Sequence, residues 1–261
     1  MTPGRHGNTT MRKIVLLLLC LMPVLSFGAE PQKVMTILRS KRVVFLHFPA
    51  DGPKILFAPG DAGFHGFAKV LGTRLAQAGY DVYGIDSKHY LESFTSKKSR
   101  LTERDVMDDF AEIAARISRG RPEKLTLVGW SEGAGLCLLA AAGEQNSHYF
   151  NGLVSIGISE LSELGWRWID FITYITKKDP REPMFRTQDF LPKITPLPFV
   201  MMQSSRDLYI SAGTAEKLFS IANEPKRYLL IQAKDHHFKG NQGEFFNELF
   251  SSLEWIDSLQ K

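Results

Sequence analysis

Three residues, in the chain order Ser131, Asp207 and His236, have the types and settings that nucleophilic catalysis requires. Ser131 lies in Gly129-Trp130-Ser131-Glu132-Gly133, between the apolar run Leu125–Val128 and a second apolar run from Ala134. A serine hydroxyl is a poor nucleophile until a neighbouring base takes its proton as it attacks. His236, in Asp235-His236-His237-Phe238-Lys239-Gly240, is the preferred base, with His237 as its rival. Asp207, just past the apolar run Phe199–Met202, is placed to fix the imidazole tautomer and to stabilise the imidazolium. Asp235 competes by adjacency alone, and neighbouring side chains on an extended backbone point apart. Each residue also has a plainer reading: a packing glycine turn, a surface histidine pair, a turn cap.

An ester carbonyl under attack develops negative charge on oxygen, which backbone N–H groups can hold. The residue after the nucleophile supplies one such group, here Glu132. The loop Ala58-Pro59-Gly60-Asp61-Ala62-Gly63 supplies another, from Asp61 or Ala62. No metal is expected, because His47, His65, His89 and His148 are scattered and His236-His237 lack helical i, i+4 spacing. No cofactor is expected either; the glycines near Gly60 are not followed by the Gly-Lys-Ser/Thr of a phosphate loop.

These residues need elements to position them. Val34–Phe48 is rich in β-branched residues and breaks at Arg39–Lys41, which predicts a β-hairpin. Lys54–Gly60, Asp81–Asp86, Lys124–Gly129, Asn151–Ser159, Leu197–Ser204 and Arg227–Ala233 read as short apolar strands. Between them, Phe67, Val70, Leu71 and Leu75 recur at helical spacing, with a stop at Gly79. Thr102 followed by acids predicts a capped helix start, and Gly133–Gly143 predicts a buried helix. Helices follow over Ala212–Ala222 and from about Gln242. Alternating helices and apolar strands predict an α/β architecture: a mostly parallel central sheet with helices on both faces. The segment of about 160–194 breaks the rhythm and is expected to form a helical lid insertion. Trp130, Trp166 and Trp168 are candidates to line a substrate pocket. The Trp166–Tyr174 aromatics are expected to pack on the core, with a peripheral contact to an acyl chain or lipid surface as the alternative.

Residues 1–28 stand apart. Arg12 and Lys13 precede an apolar run from Ile14, and Ser26 and Gly28 place small residues before Ala29. This is the layout of a secretory signal peptide, with Met11 a candidate start and an uncleaved anchor the alternative. A secreted, periplasmic location follows, with residues 29–261 as a single domain. Removing Arg5, Arg12 and Lys13 from 32 basic residues leaves 29 against 28 acidic ones. So small a charge gives no reason to expect a nucleic-acid partner. Only Cys137 then remains, which excludes an internal disulfide. The oligomeric state is open.

With these motifs in hand, the chain resembles the VirJ/AcvB-type branch of the α/β-hydrolase superfamily. The resemblance is carried by "FAPGDAGFHGF", by Asp86, Ser87 and Tyr90, by "LVGWSEGAG" and by the "SSRD…DHHFKG" tail. Proteins of that branch are secreted bacterial proteins associated with virulence and membrane-lipid homeostasis. The resemblance implies an α/β-hydrolase fold and hydrolysis of aminoacylated phosphatidylglycerol. The Trp-rich segment departs from the branch. Two alternatives stand beside this reading: a carboxylesterase for small soluble substrates, and a catalytically silent binding or scaffold protein.

Overall fold

A computed structural model describes residues 31–96, 99–166 and 183–260. The leader expected at 1–28, and Trp168, Phe171 and Tyr174, therefore lie outside the described residues. Strands β1 (Gln32–Leu38) and β2 (Lys41–Phe48) form the expected hairpin. Then follow β3 (Lys54–Ala58), α1 (Phe67–Gln77), β4 (Asp81–Ile85), α2 (Ser87–Phe94), α3 (Glu103–Ser118), β5 (Leu125–Trp130) and α4 (Glu132–Ala142). The remainder is α5 (Asn146–Tyr149), β6 (Phe150–Ile156), β7 (Leu161–Glu163), β8 (Met184–Arg186), β9 (Phe199–Ser204), α6 (Ala212–Ile221), β10 (Lys226–Ile231) and α7 (Gln242–Ser258).

Eight strands form one sheet in the order β1-β2-β4-β3-β5-β6-β9-β10. From β4 to β10 all neighbours are parallel, and the hairpin adds two antiparallel strands at one edge. Successive residues of the central strands serve opposite faces. Leu56, Leu127, Leu153 and Met201 join α2, α3, α4 and α6 in one core. Ile55, Val128, Val154 and Met202 join α1 and α7 in the other. Burial on both faces explains why these strands read as continuous apolar runs.

From β3 the chain crosses to β4 on one side, then returns to lay β5 on the other. At such a switch point the loops leaving the carboxyl ends of two adjacent strands diverge and open a crevice. The loops after β3 and β5 are the ones carrying Asp61, Ala62 and Ser131.

Two elements differ from the sequence reading. Ser87–Phe94 is a helix where the sequence suggests only polar chain. Its start is capped by the Asp86 carboxylate, which accepts from His89 N–H at 3.1 Å. The described ends of the 160–194 insertion are not helical in the α sense. β7 and β8 pair as an antiparallel ribbon, followed by 3-10 turns at Thr187–Asp189 and Leu191–Ile194. Strands of three residues have too little alternation to show in a sequence.

The hairpin is tied to the helices by one buried polar knot. Arg39, in the β1–β2 turn, donates to both oxygens of Asp109 on α3, with Nε at 2.9 Å and Nη2 at 2.5 Å. Tyr90 on α2 donates its hydroxyl to the same carboxylate at 2.6 Å. Asp109 is 2% exposed, so each lost donor leaves part of a buried charge unpaired. Asp109→Ala is expected to cost about 2–4 kcal/mol of folding stability, and Tyr90→Phe about 1 kcal/mol. Urea unfolding of the two variants checks both values.

Candidate active site

The strand β5 ends in a backbone turn that few residues tolerate. Ser131 has φ 57° and ψ −126°, immediately before α4, and its N–H donates to Ile156 O at 2.9 Å. A residue without glycine's freedom pays about 1–3 kcal/mol for such a conformation. The strain is sustained by tight packing behind the turn. A Cβ at Gly133 would lie 2.1 Å from the carbonyl oxygen of Ala58, so only glycine lets α4 start this close to β3. A Cβ at Gly60 would lie 3.1 Å from Ser131 Cβ and 3.5 Å from its Oγ. The β3–α1 loop therefore lies directly against the hydroxyl.

That loop is a turn closed by Gly63 N–H donating to Gly60 O at 3.0 Å, and it leaves Asp61 and Ala62 exposed at its tip. Asp86 braces it from below, since a Cβ on Gly63 would meet the Asp86 carboxylate at 2.7 Å. His65 is exposed at the start of α1.

Asp207 and His236, 29 residues apart, are brought together by the adjacent parallel strands β9 and β10. His236 Nδ1 and Asp207 Oδ2 are 2.6 Å apart, and both side chains are buried. Asp207 Oδ1 accepts from Tyr209 N–H at 2.9 Å. Burial opposes ionisation of Asp207, but the hydrogen bonds and electrostatic attraction from His236, with the hydrogen bonds from Tyr209 N–H and Gln203, outweigh it. Its carboxyl is held below the usual carboxylate value. A carboxylate so held keeps Nδ1 protonated and leaves Nε2 as the nitrogen able to take a proton. Nε2 is buried and has no hydrogen-bond partner among the described residues.

The imidazole sits against Gly157, at the end of β6, where a Cβ would lie 2.6 Å from His236 Cε1. Trp130 packs beside it, ring centroids 5.4 Å apart at 32°, and Tyr209 meets it edge-on at 5.0 Å. Tyr209 is a site residue that sequence reasoning missed; its signal was its place two residues after Asp207.

The two histidines part company here. His237 is exposed, with its ring against Phe67 and Trp130. Asp235 is used locally: its Oδ1 accepts from His237 N–H at 2.9 Å and Lys239 N–H at 3.1 Å, which holds its carboxyl below the usual value despite desolvation. The loop is pinned by Phe238, which is buried and stacks on Phe245 at 4.2 Å.

Of the pocket candidates, Trp130 is 6% exposed and forms part of the core around His236. Trp166 is half-buried toward α2, with Lys88 Nζ 4.4 Å from its ring centroid and its backbone N–H donated to Thr95 Oγ1. Cys137 is fully buried, which pushes its thiol well up and leaves it a packing residue.

Comparison with known proteins bears on the fold. Residues 53–171 match the family described as alpha/beta hydrolase fold, a span that holds Ser131 but ends before Asp207. The chain has the α/β-hydrolase fold. A 209-residue stretch is 24% identical to the uncharacterized protein YfhR of Escherichia coli O157:H7, over 77% of this chain and 70% of that one. Among solved structures, the alpha/beta hydrolase GrgF from Penicillium sp. sh18 superposes with a TM-score of 0.67 at 13% identity, covering 87% of this chain and 98% of its own. A membrane phospholipase A, a bacterial virulence factor, superposes with a TM-score of 0.63 at 15% identity, covering 87% of each chain.

The strain at Ser131 has a measurable signature that does not depend on chemistry. Ser131→Gly is expected to be about 1 kcal/mol more stable than Ser131→Ala. Thermal melts of the pair check it, and equal stabilities would mean the turn is relaxed in solution.

Proposed function

We propose that the protein is an exported serine hydrolase that cleaves carboxylic esters with Ser131, His236 and Asp207. One observation carries this reading: the buried 2.6 Å contact of Asp207 with His236 Nδ1, at the same end of the sheet as the strained Ser131 turn. In the first step Ser131 Oγ attacks the ester carbonyl and its proton passes to His236 Nε2. Asp207 stabilises the imidazolium without taking the proton. The tetrahedral oxygen is held by the N–H of Glu132 and by that of Asp61 or Ala62. Collapse expels the alcohol, which takes the proton from His236, and leaves an acyl group on Ser131. Water, deprotonated by the same histidine, then releases the acid and restores the serine.

For substrate, the reading is an aminoacylated phosphatidylglycerol, the class implied by the VirJ/AcvB-type resemblance. Two features support a lipid. Leu208 and Tyr209, beside Asp207, are 89% and 60% exposed, and Tyr209 meets the His236 ring. The phospholipase A named above shows that this fold serves a lipid hydrolase in another protein. The leader at residues 1–28 supports export to the compartment where such a headgroup is exposed.

Ser131→Ala is expected to abolish labelling by a fluorophosphonate probe. His236→Ala is expected to lower hydrolysis of p-nitrophenyl acetate by about 10³-fold or more, with His237→Ala within a few-fold of wild type. A silent scaffold would show neither labelling nor turnover. Mass spectrometry of lipids from a deletion strain decides the substrate. Accumulation of aminoacyl-phosphatidylglycerol supports the lipid reading, and an unchanged profile in an organism that makes it points to a small soluble ester.

A further inference from the structure

The mechanism above uses the backbone of Glu132 and leaves its carboxyl without a task. That side chain opens α4, and its Oε1 accepts from the Ser162 hydroxyl at 2.5 Å and from Glu163 N–H. Both donors belong to β7, about thirty residues further along the chain. β7 reaches the helix because residue 135 is glycine. A Cβ there would lie 1.9 Å from Ser162 Oγ and 3.3 Å from the Phe185 ring on β8. Glu132 and Gly135 are three apart and share a helix face. One supplies the acceptor and the other the room.

We propose that Glu132 is a pH-sensitive positioning residue that ties the β7–β8 ribbon to the oxyanion turn through its bonds to Ser162 and Glu163 N–H. The inference rests on Ser131 being the nucleophile. The tie acts on the backbone that matters, because the N–H assigned to the oxyanion is that of Glu132 itself. A donor displaced by a fraction of an ångström from the developing charge loses much of its effect.

Burial is the largest influence on this carboxyl and pushes it up to about 8. The bonds from Ser162 and Glu163 N–H work against burial, and the charged groups that face it, Glu163 on β7 and Asp61 on the β3–α1 loop, are both acidic and reinforce it. At neutral pH the group therefore carries its proton. Above its titration a full negative charge appears one residue from Ser131, where it opposes the charge forming on the tetrahedral oxygen.

The test is the pH profile of p-nitrophenyl acetate hydrolysis by the full chain, with Ser131→Ala as the blank. For wild type, kcat/KM is expected to fall about tenfold between about pH 7 and about pH 9, given titration near 8. Glu132→Gln keeps an acceptor oxygen but cannot ionise, and its ratio of rates across that interval is expected to stay near one, whatever its absolute rate. Ser162→Ala removes a bond that favours the charged form, so its fall is expected at higher pH than that of wild type; this serves if the glutamine variant does not fold. A fall that is absent in wild type, or that persists in Glu132→Gln, overturns the inference.

A second readout is independent of turnover. The Glu132 pKa is raised in the folded chain, so its stability contribution is present below the unfolded value and lost as pH rises through the folded one. The Tm of Glu132→Gln minus that of wild type is therefore expected to grow from about pH 5 to about pH 8 and then level off. A constant difference overturns the inference. If wild type shows no Ser131-dependent turnover or labelling, the hydrolase reading falls and the positioning role with it. If turnover is present and the profiles fail, only the role of Glu132 falls.

Discussion

The tight passage from β5 into α4 is the constraint on which the rest of the structure depends. Presenting a side chain at the tip of a central strand means bending the backbone into a region that repels a Cβ, and Ser131 sits there at φ 57°. Nothing local relieves that cost. It is sustained by the packing around it: α4 lies hard against the carbonyl of Ala58, and the serine N–H is taken by Ile156 O on the next strand. Small residues at 129, 133 and 135 follow from this, since a helix that starts so abruptly must lie against its neighbours without side chains between.

The same geometry divides the site between two kinds of support. The serine and the loop of Asp61 and Ala62 are set by β3 and β5 at the centre of the sheet, where residues are buried on both faces. Asp207 and His236 hang from β9 and β10, near the sheet edge, and are oriented chiefly by side chains. Asp207 is held by His236 and Tyr209 N–H, His236 lies between Trp130 and Tyr209, and the loop that carries it is anchored by Phe238 on Phe245. Rigidity comes from the backbone in one half and from aromatic packing in the other.

What the sequence discloses follows from this division. The parallel strands are legible because burial on both faces writes unbroken apolar runs. The start of α3 is legible because Thr102 and Asp105 exchange capping bonds over three residues. His236 could be preferred over His237 only by motif, whereas in space one faces Asp207 and the other faces solvent. α2 is hidden because an eight-residue helix with Lys88, His89, Glu92 and Ser93 looks like polar chain until Tyr90 and Phe94 find Asp109 and Arg39 across the fold. The partner of the Glu132 carboxyl is hidden for the same reason: it lies about thirty residues away, on a strand of three.

The order of strands has one further consequence. The Ser131 turn draws on β3, β5 and β6, whereas His236 follows β10 and its loop is pinned where α7 sets Phe245 against Phe238. A chain whose β10 edge has frayed thus keeps the Ser131 turn but loses the contact of His236 with Asp207. Under the proposed mechanism, activity therefore reports the integrity of the whole sheet.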